Sequence, residues 1–202
     1  MSITVLGVAA SPRRDGNTDL LLQATLEAAA EAGAQTERVV VRDLDMRPCI
    51  ECNGCQKTGR CVVRDDMTPV FDKLLACDAL VFASPIFFAA VSAYAKRLID
   101  RCQCFWVAKY VLDQPLHDPP RPGRRGLFLS CCGWRERWMF DCARRTFKAL
   151  FNTLELDFAG ELCYPGIDDK GDILDHPIAM AEARAAGAAL ARGDAIDSTP
   201  RR

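Results

Sequence analysis

Two hydrophobic periods alternate along this chain. Mostly apolar runs of strand length occupy residues 3–9, 36–41, 79–84, 126–132 and 158–163, and such runs mark strands buried on both faces. Between them the apolar positions fall at helical spacing. One helix is predicted from about Thr18, with Leu21, Leu22, Thr25, Leu26 and Ala29 on one face and Gly33 as its stop signal. A second starts at Thr68 as N-cap with Pro69 in the first helical position, and turns Phe71, Leu74 and Leu75 inward. A long helix is predicted over 89–110. Another covers about 138–152 on Phe140, Ala143, Phe147, Leu150 and Phe151, and an alanine-rich one covers about 177–192.

Five strands alternating with five helices predict a parallel sheet covered on both faces through right-handed crossovers. The expected fold is α/β, three-layered and doubly wound, with the flavodoxin-like strand order 2-1-3-4-5. One domain over residues 1–196 is expected, with a cysteine-rich insertion at 47–63 and a frayed tail at 197–202. The chain has 202 residues, half of them apolar, which is enough for a core of that size. In such a sheet a ligand sits where the strand order reverses, beyond the carboxyl ends of the first and third strands.

Charge narrows the partners. The 26 Lys and Arg against 27 Asp and Glu leave a net charge of −1, which gives no general attraction to nucleic acid or to an anionic membrane. Arg121, Arg124 and Arg125, beside Pro119, Pro120, Pro122 and Gly123, read as a solvated basic loop. The uncharged run 79–95 contains Ser84 and Pro85 and is short for a membrane span. The first residues form a strand pattern without a basic leader and cleavage site. With 11 Cys, this predicts a reducing, cytoplasmic setting in which cysteine clusters bind metal more often than they form disulfides.

Four of those cysteines, Cys49, Cys52, Cys55 and Cys61, lie in PCIECNGCQKTGRC with the spacing C-x2-C-x2-C-x5-C. Thiolates are soft ligands, and four in tight turns suit an iron–sulfur cluster or a zinc ion. Gly54 and Gly59 permit the turns, and no His or carboxylate in the run has matching ligand spacing. Zinc sites usually pair two separated C-x2-C knuckles, so consecutive two-residue steps favour a [4Fe–4S] cluster. A structural role without metal is the third reading. The other seven, Cys77, Cys102, Cys104, Cys131, Cys132, Cys142 and Cys163, read mostly as core fillers.

Three loops meet the expected ligand. SPRRDGNT, residues 11–18, leads into a helix whose free N–H groups favour an anion. Ser11, Arg13, Asn17 and Thr18 add donors and Gly16 allows a tight turn. Neither G-x-G-x-x-G nor G-x-x-x-x-G-K-[ST] is present, so a monophosphate is expected rather than a dinucleotide or nucleoside triphosphate. An ordinary strand-to-helix loop capped by Asn17 or Thr18 explains the same residues. SPIFF, Ser84, Pro85, Ile86, Phe87 and Phe88, offers apolar side chains to a flat heteroaromatic ring, or to the core. SCCGW, residues 130–134, can cover the same ring, with Ser130 and Gly133 as candidate contacts. His117 and His176 have no evident triad partner, and Asp65 and Asp66 read as helix-start electrostatics.

Together SPRRDGNT, PCIECNGCQKTGRC–VVRDDM and FASPIFFAAVSAYAKRLIDR resemble the NAD(P)H-dependent FMN reductase superfamily, and the cysteine run resembles its iron–sulfur flavoproteins. The likeness is strong over residues 3–102 and holds only in pattern beyond. It implies FMN and a [4Fe–4S] cluster in a homo-oligomer, a dimer or tetramer. By position, Ser11, Arg13, Asn17 and Thr18 would hold the FMN phosphate, and Ser84, Pro85, Ile86, Phe87 and Phe88 would contact the isoalloxazine ring. Cys49, Cys52, Cys55 and Cys61 would ligate the cluster. Phe87 stands where relatives often carry Tyr, which removes a hydroxyl donor. The implied function is electron transfer between a reduced donor, ferredoxin or NAD(P)H, and an acceptor. The alternative is an NAD(P)H-dependent FMN or quinone reductase without a cluster, its cysteines structural or zinc-binding. Phe87, Phe88, Tyr94, Phe105 and Trp106 are candidate interface residues between protomers.

Overall fold

The structure is a computed structural model that describes residues 2–196; the tail expected at 197–202 lies outside them. In chain order the elements are β1 (Thr4–Ala9), α1 (Asn17–Glu31), β2 (Gln35–Val40), α2 (Met67–Ala76), β3 (Ala79–Ala83), β4 (Ile86–Phe87) and β5 (Ala90–Val91). They continue with α3 (Ala93–Arg101), α4 (Gln103–Tyr110), β6 (Arg125–Cys132), α5 (Asp141–Thr153), β7 (Asp157–Pro165) and α6 (Ala179–Arg192). The main sheet is parallel with order β2-β1-β3-β6-β7. Counting only its own strands, that is the doubly wound, flavodoxin-like 2-1-3-4-5.

Side chains alternate across each strand, so one sheet feeds two cores. Leu6, Val8, Leu80, Phe82 and Phe128 face α2, α3 and α5, burying Leu74, Leu98, Phe147 and Phe151. Phe147 stacks on Phe128 with ring centroids 4.1 Å apart. The other parity, Val5, Ala9, Val81, Leu127 and Leu129, packs on Leu21 and Leu22 of α1 and on Ala183, Ala186 and Leu190 of α6. The alanine-rich face of α6 lets it lie close to α1. A Cβ built on Gly187 would stand 2.0 Å from the Thr25 carbonyl oxygen, so this position requires glycine. Among the described residues no helix is long and apolar enough to cross a membrane.

Three expectations need correction. The second helix begins at Met67, not after a Thr68 cap. The Asp65 carboxylate accepts the Met67 N–H at 3.1 Å, and an ionised acceptor outcompetes a hydroxyl there. The long helix expected over 89–110 is a hairpin and two helices. β4 pairs antiparallel with β5, and α3 starts after Ser92, whose Oγ accepts the Ala95 N–H and donates to the Ala10 carbonyl at 2.6 Å. The helix then breaks at Cys102. The arginine cluster is not a solvated loop. Arg124 is buried and donates to the carbonyls of Leu74, Cys77 and Leu154. Arg121 donates to Leu75, Ala76 and Asp78, and Arg125 to the last carbonyls of α6. These cations satisfy the orphan carbonyls at the ends of α2 and α6, where the helix dipole is negative.

Candidate functional site

The first site lies beyond the carboxyl ends of β1, β3 and β6. Its frame is a relay of buried serines. Ser130 Oγ donates to the Ser84 carbonyl at 2.7 Å, Ser84 Oγ accepts the Ser92 N–H, and Ser92 Oγ reaches back to β1. Three strand ends are thereby fixed relative to one another, and each hydroxyl that was taken out of water has a partner. Ser84 and Ser130 serve this frame and do not line the cleft, and neither does Phe88.

The cleft itself, about 60 Å³, is lined by Ser11, Pro12, Arg13, Gly16, Asn17, Thr18, Pro85, Ile86, Phe87, Cys131, Cys132, Gly133, Ile167 and Asp168. No side chain caps the start of α1. Thr18 is buried there, and its Oγ1 has no partner among the described residues. A buried hydroxyl left unpaired costs roughly 1–3 kcal/mol, so this arrangement calls for a bound acceptor beside the positive end of the helix. Ser11 Oγ is taken up within the loop by the backbone of Arg13.

A strap from the far end of the chain crosses this loop. Arg13 Nη1 donates to the Asp168 carbonyl and Asn17 Nδ2 to the Asp169 carbonyl, both at 2.8 Å. Asn17 Oδ1 in turn accepts the N–H groups of Gly171 and Ile173. Gly133 allows the strap to seat, since a Cβ there would lie 2.8 Å from the Asp168 carboxyl carbon. Asp168 and Ile167 were not legible as site residues, because they lie some 150 residues from the loop that they cover and belong to no motif.

The second site is the cysteine loop. Cys49, Cys52, Cys55 and Cys61 line one cavity of about 540 Å³, together with Glu51, Asp100, Arg101, Cys104 and Trp106. Cys49 and Cys52 are exposed, and Cys55 and Cys61 half-buried. Gly54 and Gly59 are required: a Cβ on Gly54 would strike Val62 at 2.5 Å, and Gly59 has φ +70 with Ala108 2.8 Å away. Burial pushes the Cys55 thiol up, and the sulfurs of Cys61, Cys49 and Cys52 add to the push, so Cys55 sits within electrostatic reach of the other three. Among the described residues no three such groups converge tightly enough to hold one metal ion. A single zinc needs its sulfurs about 2.3 Å from one point. An iron–sulfur cluster is likewise held by cysteine thiolates, and the four thiols that line this cavity are donors of that type.

The base of the loop is clasped by the two aspartates. The Asp65 carboxylate accepts the Arg47 N–H at 2.9 Å and the Asp66 carboxylate the Asp45 N–H at 2.8 Å. Beneath lies Arg101, 2 % exposed, in a salt bridge of 2.6 Å to Asp65. Burial works against ionisation of Asp65, but Arg101 and the backbone N–H groups of Arg47 and Met67 outweigh it and hold the carboxyl below its usual range. Asp65 and Asp66 therefore do more than start a helix. His117 is tied to Glu155 and the Leu75 carbonyl, and neither histidine lines either cavity.

A family model for NADPH-dependent FMN reductases matches residues 3–138. The chain belongs to that family. An iron–sulfur flavoprotein of Methanocaldococcus jannaschii is 41% identical over 97 residues, 48% of this chain and 50% of that protein. One of Methanosarcina thermophila is 33% identical over 97 residues, 48% and 51% of the two chains. The chain thus spans about half the length of these curated relatives. A Bacillus subtilis protein, named as a putative NAD(P)H-dependent FMN-containing oxidoreductase, is 27% identical over 91% of this chain and 94% of its own. Among solved structures, an NAD(P)H:quinone oxidoreductase from Methanothermobacter marburgensis superposes with a TM-score of 0.71 at 18% identity, covering 94% of this chain and 98% of that one. At that identity the likeness establishes the fold.

Proposed function

We propose that this member of the family is an oxidoreductase that holds FMN beyond β1, β3 and β6 and a [4Fe–4S] cluster at Cys49, Cys52, Cys55 and Cys61. It passes electrons between a reduced donor, ferredoxin or NAD(P)H, and an acceptor. The observation that carries the flavin is the unpartnered, buried Thr18 Oγ1 at the uncapped start of α1. Thr18 and the first N–H groups of α1 hold the phosphate, with Arg13 and Asn17 as further donors from the same loop. Pro85, Ile86, Phe87 and Gly133 give the ring an apolar wall and a close backbone approach. The cleft is smaller than the ~300 Å³ or more of a ligand site, so the strap at Asp168 has to shift when flavin enters. Bound FMN accepts an electron pair as hydride and releases electrons singly, which matches the one-electron traffic of a cluster. The chain's own part is to bind, orient and exclude water; hydride transfer to a flavin requires no protein nucleophile.

A second reading is a cluster-free FMN or quinone reductase. The near-full-length likeness to the Bacillus subtilis protein favours it. Absorbance together with iron, sulfide and zinc content after anaerobic purification separates the two. A flavin spectrum with a broad additional shoulder and iron matched by sulfide is expected. Flavin bands alone, with no iron after reconstitution, would establish the second reading.

Self-association belongs to the proposal. Phe105 leaves the candidate interface, because it is buried against Phe71 with ring centroids 5.5 Å apart. Phe88 strengthens it. This side chain is fully exposed at the tip of the β4–β5 hairpin, and Phe88 and Ala89 have φ of 51° and 58°. The left-handed region costs a bulky residue ~1–2 kcal/mol, and Asn-Gly is the usual choice in such a turn. Phe88→Gly relieves the strain, so thermal stability should not fall, while light scattering at micromolar concentration should show a smaller assembly. A variant with the wild-type mass would remove Phe88 from the interface.

A further inference from the structure

Among the described residues Arg101 is the largest fully buried side chain. Its contacts converge on the cysteine loop from below. Nη1 donates to Asp65 Oδ2 at 2.6 Å and to the Arg47 carbonyl at 2.8 Å. Nη2 donates to the Val63 carbonyl at 3.2 Å, to Asp65 Oδ1 at 3.2 Å and to the sulfur of Cys61 at 3.5 Å. Arg47 precedes the first cysteine of the run and Val63 follows the last, so one guanidinium joins both ends of the loop. Among the charged residues lining the cavity, Arg101 is the one cation; Glu51 and Asp100 are anions. The start of α2 explains Asp65 and the Phe71 ring packs on the guanidinium, but neither explains the contacts to Arg47, Val63 and Cys61. Asp65 offsets the charge of the buried guanidinium, and the contact from Nη2 to the Cys61 sulfur is made in addition to that pair.

We propose that Arg101 is a positioning residue for the cluster: it fixes Cys61 at the base of the loop and raises the potential at which the cluster accepts an electron. The inference rests on the cluster reading above. A cluster bound by the four cysteines would supply one-electron chemistry, taking a single electron from a reduced donor with no bond formed or broken at the cysteine sulfurs. Reduction would add negative charge at the sulfurs, which Arg101 would offset through its N–H···S contact to Cys61. The same contact orients the Cys61 ligand, as outer partners do in other metal sites. Arginine suits the task because its planar fork reaches five acceptors at once, which a lysine ammonium does not.

The test is a redox titration of the anaerobically purified holoprotein with mediator dyes, followed by electron paramagnetic resonance, alongside iron, sulfide and FMN content. Arg101→Gln is paired with Asp65→Asn so that no uncompensated charge stays buried. That double variant should keep FMN and cluster, and its cluster reduction equilibrium should fall tenfold or more, 59 mV for a one-electron couple. Arg101→Lys keeps the charge but loses the fork, and should show a fall of at least threefold. A loaded double variant that titrates within twofold of wild type would overturn the proposal. So would loss of the cluster from both variants with FMN retained, which would make Arg101 a scaffold for the loop alone. Should the double variant fail to fold, Arg101→Lys decides, and a wild-type potential there overturns the assignment. Wild-type protein without iron after reconstitution would instead remove the cluster reading itself.

Discussion

Replacing Cys52 with serine is expected to abolish iron and acid-labile sulfide while leaving FMN bound. A serine hydroxyl stays protonated at neutral pH and is a hard donor, whereas iron in such clusters is held by thiolates. The choice of cysteine matters. Cys104 lies in the same cavity, donates its thiol to the Arg101 carbonyl at 3.5 Å, and is pushed up to about 12 by burial and by the neighbouring Cys61. Among the described residues it is the one further thiol lining this cavity, so a serine at Cys61 would leave a second thiol beside the vacated position, although its burial disfavours the thiolate. Cys52 is exposed on the loop, and a surface change of this kind alters stability by only ~0.5 kcal/mol. The flavin loops come from other segments of the chain. Full iron content in Cys52→Ser protein, measured after anaerobic purification, would contradict the ligand assignment.

Thr18→Val is expected to weaken FMN roughly 10–100-fold, the scale of a hydrogen bond to a charged group at ~1.5–3 kcal/mol. The substitution is nearly isosteric and removes no protein–protein hydrogen bond, because Oγ1 makes none among the described residues. The apoprotein should therefore be as stable as wild type or more so, since an unpaired buried hydroxyl is replaced by a methyl group. Flavin titration of the two apoproteins by fluorescence measures the difference. Equal affinities would place the phosphate elsewhere.

The sheet was legible because buried parallel strands leave continuous apolar runs, and β1, β3 and β6 each show one. The hairpin was not. β4 and β5 have two residues each and their turn is Phe88–Ala89, without the Gly or Asn that marks such turns. Local sequence singled out the four cysteines and the loop 11–18, and the fold brings each set to the wall of one cavity. What supports them was not singled out. Asp65 and Arg101 are 36 residues apart, and a lone Arg in a helix reads as a solvated charge until the fold buries it. Arg124 misled for the same reason: proline and glycine around it signal a loop correctly, but burial of a cation against helix-terminal carbonyls has no sequence signature.

The strap over the flavin loop has a consequence for biosynthesis. Arg13 and Asn17 are bonded to residues 155 and 152 positions further along. Chains are made from the N-terminus at ~5–20 residues per second, so the phosphate loop leaves the ribosome several seconds or more before the segment that covers it. During that interval the loop between β1 and α1 has no strap across it. The cradle is complete only when the segment ending at Ile173 has been made and β7 has joined the edge of the sheet. On the proposed reading a nascent chain would receive FMN by direct access, whereas the finished protein would have to break the hydrogen bonds at Arg13 and Asn17 to take it up or release it.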